Sequence, residues 1–154
     1  MYYARVMRKI LGVVMLLALA AMVPVFGQGY LSPLEANKKV VFDFYRLVFE
    51  PRNAGLVDIY VAPDIIEHNP QMKNGRDELV KLIESLPKPA SDEVGPALKN
   101  PPALITAEGD LVTYIFKEQV PDPKDKSKTY ERFSFDTFRV KNGKIVEHWD
   151  GASR

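Results

Sequence analysis

Phe135-Asp136-Thr137-Phe138-Arg139-Val140-Lys141-Asn142-Gly143-Lys144-Ile145-Val146-Glu147-His148-Trp149-Asp150 is the stretch on which the reading of this chain turns. Two runs rich in β-branched and aromatic residues flank Asn142-Gly143, the dipeptide best suited to a tight turn between antiparallel strands. The stretch is therefore a β-hairpin. Its register decides where the ionisable side chains point, because a slip of one residue moves a whole strand's side chains to the opposite face. A two-residue turn sets Lys141 against Lys144 and Asp136 against Trp149, and sends Asp136 and Asp150 to opposite faces. A three-residue loop sets Val140 against Lys144. In that register Asp136 faces His148 and Asp150 faces Ser134, all on one surface with Phe138 and Val146. The other surface then carries Phe135 against Trp149 and Thr137 against Glu147. The second register is preferred, because it pairs aromatics and gathers the ionisable groups.

Upstream of the hairpin, turn signals separate further strand-like runs at Ala97–Thr106, Leu111–Val120 and Tyr130–Val140. The polar, proline-bearing segment Pro121–Lys128 makes a long exposed hairpin loop. Before Ala97 the pattern is helical. Ser32-Pro33-Leu34-Glu35 reads as a helix start with Ser as N-cap and Pro at the first position. Val40, Val41, Phe44, Leu47 and Val48 recur at helical spacing up to Pro51. A short helix follows over Ala54–Tyr60, a short strand over Ile65–His68, and a third amphipathic helix over Arg76–Leu86. Helices first and a meander afterwards predict an α+β domain, with three helices on one face of a mainly antiparallel sheet.

Among 154 residues, 46% are hydrophobic and 27% charged, the balance of an ordinary globular chain. The net charge of +1 owes three positive charges to Arg5, Arg8 and Lys9; without them 18 basic residues face 20 acidic ones. A chain this near neutrality lacks the basic footprint of a nucleic-acid binder. There is no cysteine, which excludes disulfides, thiolate catalysis and Cys-based zinc sites. The three basic residues precede a run from Ile10 to Val23 of apolar residues and one glycine, closed by Pro24. This is the pattern of a secretory signal peptide cleaved after Gly27, leaving one domain over residues 28–154 in a secreted or periplasmic location. The alternative is an uncleaved signal that anchors the chain to a membrane, although the run is short for a span.

His68-Asn69-Pro70, Gly75-Arg76 and the hairpin quoted above together make the chain resemble the SnoaL-like branch of the NTF2-like superfamily, from about Glu35 to the C-terminus. The resemblance implies a cone: a strongly curved sheet wrapped round a small-molecule pocket and closed by the helices. It also implies a cofactor-independent proton-transfer site of the polyketide cyclase, aldol or isomerase type. Asp150 matches the acid/base aspartate of the cyclases. Asp136 stands at a partner position that is often histidine, and this departure loosens the aldol assignment. A homodimer through the outer sheet face is common in the superfamily, and some members only bind ligands.

The residues support a site independently. Acid–base work on carbon needs a carboxylate or imidazole whose pKa is moved toward neutrality, and an apolar enclosure with like charges nearby does that. Asp150 is the expected base, Asp136 and His148 its orienting pair, and His68 a donor to a carbonyl or enolate oxygen. Phe138, Val146, Tyr114, Phe116, Ser134 and Asn69 are the expected pocket wall. Each has a plainer reading. Asp150 can be a strand-end carboxylate, His148 a structural histidine and His68 a turn cap. Glu67 is read as solvated or paired with a nearby base, and Trp149 as core or interface. No metal or cofactor is expected, since the histidines and carboxylates show no ligand spacing.

Overall fold

The computed structural model describes residues 31–151. The leader over residues 1–27 lies outside that range. Helix α1 spans Pro33–Phe44; Ser32 accepts a hydrogen bond from the Glu35 amide at 3.3 Å and Pro33 occupies the first turn. Its last turn widens into a π-helical segment, Tyr45–Phe49. Such turns recur at functional sites because they re-aim side chains within a helix. A 3₁₀ turn (Ala54–Leu56) leads into the one-turn helix α2 (Val57–Tyr60), then strand β1 (Val61–Glu67) and helix α3 (Arg76–Ser85). Strands β2 (Leu104–Glu108), β3 (Leu111–Pro121), β4 (Thr129–Lys141) and β5 (Lys144–Asp150) complete the chain.

The elements differ from expectation mostly at their ends. Strand β1 begins four residues earlier than its apolar pattern suggested and contains Pro63. That is tolerable because β1 is an edge strand. Strand β2 begins only at Leu104, after Pro101-Pro102, whose missing amides keep the preceding segment out of the ladder. No helix among the described residues is long and apolar enough to cross a membrane.

The sheet has the order β1-β5-β4-β3-β2, antiparallel throughout except that β1 runs parallel to β5. It is curled but unclosed, an α+β architecture with the three helices packed on it. Val41, Val48, Val57, Val61, Val112, Tyr114 and Ile83 are fully buried between helices and sheet. Each such side chain contributes about 1.5–3 kcal/mol of transfer free energy, which is what holds the helices on the curve.

The hairpin resolves the register question with a feature that neither sequence alternative contained. Asn142 and Gly143 both have positive φ, 51° and 74°, the two-residue turn that matches strand twist. Lys141 pairs with Lys144 and Val140 with Ile145. The ladder then slips: Arg139 pairs with Glu147, leaving Val146 as the extra residue of a β-bulge. From there Phe138 faces His148, Thr137 faces Trp149 and Asp136 faces Asp150. The expected Asp136–His148, Asp150–Ser134 and Phe135–Trp149 pairings are thereby corrected. The gathering of Asp136, Phe138, His148 and Asp150 on one face is present, and the bulge produces it.

Candidate functional site

A cavity of about 240 Å³ lies between helices and sheet. Most of its wall is apolar, with Phe44, Phe49, Ile65, Leu79, Phe138 and Ile145 prominent. One side is not. Asp136 and Asp150 face each other across β4 and β5, His148 stands beside them, Glu67 enters from the end of β1, and Tyr45 comes down from the π turn. One ring nitrogen of His148 and one oxygen from each aspartate lie within 4.8 Å of one another. Like charges directly opposite on neighbouring strands destabilise a sheet.

The electrostatics follow from the partners. Glu67, its side chain 2% exposed, holds His148 Nδ1 at 2.7 Å. Burial opposes charge on the imidazole, but the Glu67 hydrogen bond and the negative charges of Glu67, Asp136 and Asp150 outweigh it, so the His148 pKa stands above its ordinary value. The ring also stacks on Phe138 at 4.7 Å. Asp136 is raised above the usual carboxylate range, first by burial and further by the charges of Asp150 and Glu118. The Tyr45 hydrogen bond and the His148 charge pull it partly back. Tyr45 donates its hydroxyl to Asp136 Oδ2. Burial and the neighbouring Asp136 hold that phenol well above its ordinary pKa, so it remains a donor. Asp150 Oδ1 is buried and has no hydrogen-bond partner among the described residues. A buried carboxylate oxygen without a partner is costly, and Asp150 is one of the residues that line the cavity.

Not every expected residue lines this cavity. His68 lies outside it, with its side chain 39% exposed. Its ring stacks flat on Trp149 at 4.4 Å and its Nε2 pairs with Glu147 at 3.1 Å. His68 and Trp149 thus belong to an outer cluster with Arg139, whose guanidinium lies 5.6 Å from the Trp149 ring and bonds Glu147 and Asp110. Asn69 is also away from the cavity; its Oδ1 accepts from the Gln71 amide and turns the loop. Val146 is the bulge residue and absent from the lining, while Tyr114 is core, stacked on Tyr45 at 5.3 Å. Phe116 and Ser134 line a second, adjacent cleft.

Two contributors escaped the sequence reading. Glu67 was assigned to solvent or to an unnamed base, although its neighbour His68 was singled out; strand alternation puts one of the pair inside and the other outside. Tyr45 looked like an ordinary residue of an amphipathic helix, and only the π turn aims it at Asp136. An Asp-His-Asp cluster also has the composition of a divalent-cation site, but Glu67 already occupies one imidazole nitrogen and Tyr45 one Asp136 oxygen.

No protein-family model matches the chain, and no curated protein does either. Solved structures do. An NTF2-like protein of unknown function from Burkholderia pseudomallei is 19% identical, with a TM-score of 0.52 over 77% of this chain and 91% of that one. A protein from Jannaschia described as a SnoaL-like polyketide cyclase is 14% identical, with a TM-score of 0.53 over 81% and 90%. An LEH-like epoxide hydrolase from M. tuberculosis is also 14% identical, with a TM-score of 0.54 over 80% and 83%. At these identities the likeness is one of fold. The chain has the NTF2-like fold, and the Asp136–Asp150 pair lines the cavity between its helices and sheet.

Proposed function

We propose that this cavity carries out cofactor-independent acid–base catalysis on a small, largely apolar carbonyl compound. The observation that carries the reading is the facing pair, Asp136 and Asp150, both lining an apolar cavity, with one oxygen of Asp150 buried and unpartnered. Asp150 removes a proton from the carbon next to the carbonyl, and the C–H electrons pass into the enolate. Asp136, whose pKa is moved upward, offers its proton to the developing oxygen, while Tyr45 holds its other oxygen. A carboxyl kept neutral by an apolar site can act as such a donor. His148, oriented by Glu67, adds positive charge beside the developing anion. Return of the proton to a different carbon gives isomerisation, and attack of the enolate on a second carbonyl gives ring closure.

The test needs no named substrate. Simple cyclic ketones and β-keto esters are incubated with the protein in heavy water, and deuterium entry beside the carbonyl is followed by NMR. The wild type should accelerate exchange, and Asp150→Asn should lower the rate by about 10²–10⁴-fold. Equal rates with both proteins would sink the reading. Ligand-induced shifts without exchange would support a binding protein instead.

Two further parts of the reading rest on sequence and surface. The segment from Arg5 to Gly27 directs export, which mass spectrometry of the exported chain would test by finding a start at Gln28. Phe135 (51% exposed) lies in a cross-strand row with Ile115 and Leu104 (55% exposed), an apolar strip on the outer sheet face that suits a second copy of the chain. Phe135→Asp should shift a dimer to monomer in sedimentation analysis; a wild-type monomer would exclude this.

A further inference from the structure

A second cleft of about 420 Å³ adjoins the first, and the two share Tyr45, Phe49 and Asp136 as common wall. The hydrogen-bonded Tyr45–Asp136 pair thus borders both cavities. Phe116 and Ser134 continue the wall of the second cleft, and Arg52 and Lys99 bring cations to it.

Arg52 is held unusually. Its φ is 60°, a left-handed conformation that costs a non-glycine residue free energy and is retained where the surroundings impose it. One of its guanidinium nitrogens donates to the Phe49 carbonyl, and the guanidinium carbon lies 4.8 Å from the Phe49 ring centre. Its Nε is buried and unpartnered. Lys99 Nζ donates to the Ser91 carbonyl at 2.5 Å. Neither cation has a carboxylate partner among the described residues, whereas Arg46, Arg132 and Arg139 all do. Both glutamates of the cleft have partners, Glu118 outside its lining and Glu50 within it. Glu118 pairs with Arg132 at 2.5 Å, and Glu50 accepts from the backbone amides of Lys99 and Asn100 at 2.9 Å each.

From these contacts we infer that the second cleft is an anion subsite that receives the carboxylate of an amphiphilic ligand whose apolar body passes Phe49 and Tyr45 into the first cavity. Arg52 and Lys99 neutralise the head group, and Ser134 lines the same cleft. The substrate class becomes an apolar oxo-acid rather than a neutral ketone. The word substrate rests on the acid–base reading above; the anion subsite does not.

The test compares matched acids and amides: octanoate with octanamide, cinnamate with cinnamide, and phenylacetate with phenylacetamide. Binding is followed by isothermal titration and by amide NMR shifts at Ser134 and Asn100. In the wild type the acids should bind about tenfold or more tighter than their amides. Arg52→Gln and Lys99→Gln should each reduce that preference, and the double variant should abolish it, while Arg52→Lys keeps part of it. If Arg52→Gln unfolds, Lys99→Gln together with loss of the preference at high salt carries the same test. Equal binding of acid and amide, failure of every acid to bind, or a preference that survives the double variant would overturn the subsite. The comparison is repeated in Asp150→Asn. Asp150→Asn should keep the preference for acids; a wild type that exchanges no faster than Asp150→Asn yet still prefers acids loses the catalytic reading and keeps the subsite.

Discussion

Glu67 Oε2 lies 2.7 Å from His148 Nδ1, joining the last residue of an edge strand to the strand beside it across the only parallel ladder among the described residues. Because Glu67 is nearly inaccessible, solvent does little to weaken the pair. The contact fixes the ring and favours its charged form.

Replacing Glu67 by Gln tests this directly. The raising charge of Glu67 vanishes while burial remains, so the His148 pKa should fall. Imidazole titration by NMR reads it. The sign for stability follows from the direction. With the folded pKa above the ordinary value of 6.5, His148 stabilises the fold fully below that value and progressively less as pH rises through the folded pKa. That slope should flatten in Glu67→Gln.

Asp136 carries the same sign of linkage as His148. Its folded pKa is raised above 3.8, mainly by burial, so its neutral form is favoured by folding. Stability contributed by this group is complete below 3.8 and is lost as pH rises through the folded pKa. At neutral pH, Asp136→Asn should therefore raise the midpoint of thermal unfolding while abolishing proton exchange, since Asn can still accept from Tyr45. A lower midpoint at neutral pH together with an unchanged acid limb would contradict the assigned cost.

Tyr114 carries a buried hydroxyl with no partner among the described residues. Its pKa is pushed up, first by burial and then by the charge of Asp43. An unsatisfied buried hydroxyl costs about 1–3 kcal/mol. Tyr114→Phe should be neutral or stabilising by about 1 kcal/mol in urea titration, in contrast to the loss expected when a satisfied core tyrosine is truncated in this way.

The fold was legible in the sequence because its signals are local. Ser32-Pro33 starts a helix by capping chemistry, Asn142-Gly143 closes a hairpin by its tolerance of positive φ, and prolines end elements by lacking an amide. The site was legible only in part. Asp136, His148 and Asp150 lie within one hairpin, so register arithmetic could place them, although it lacked the bulge at Val146. Glu67 joins them through a parallel pairing between segments about eighty residues apart, which no local pattern encodes. His68 was misplaced for the same reason, since only the register of β1 against β5 decides which of two adjacent residues turns inward. Tyr45 depends on a single widened helical turn, a distinction finer than helical periodicity can draw.

The extra residue at Val146 works as a frame-setter for everything after it. If the ladder absorbed Val146 as an ordinary paired residue, Asp136 would meet Trp149 and the end of the chain would turn inside out. Trp149 would then press into the cavity while Asp150 and His148 faced water. Deleting Val146 instead leaves Asp136 opposite Asp150, so it is the skipped position, and not the identity of its residue, that separates a pocket able to handle protons from a merely greasy one.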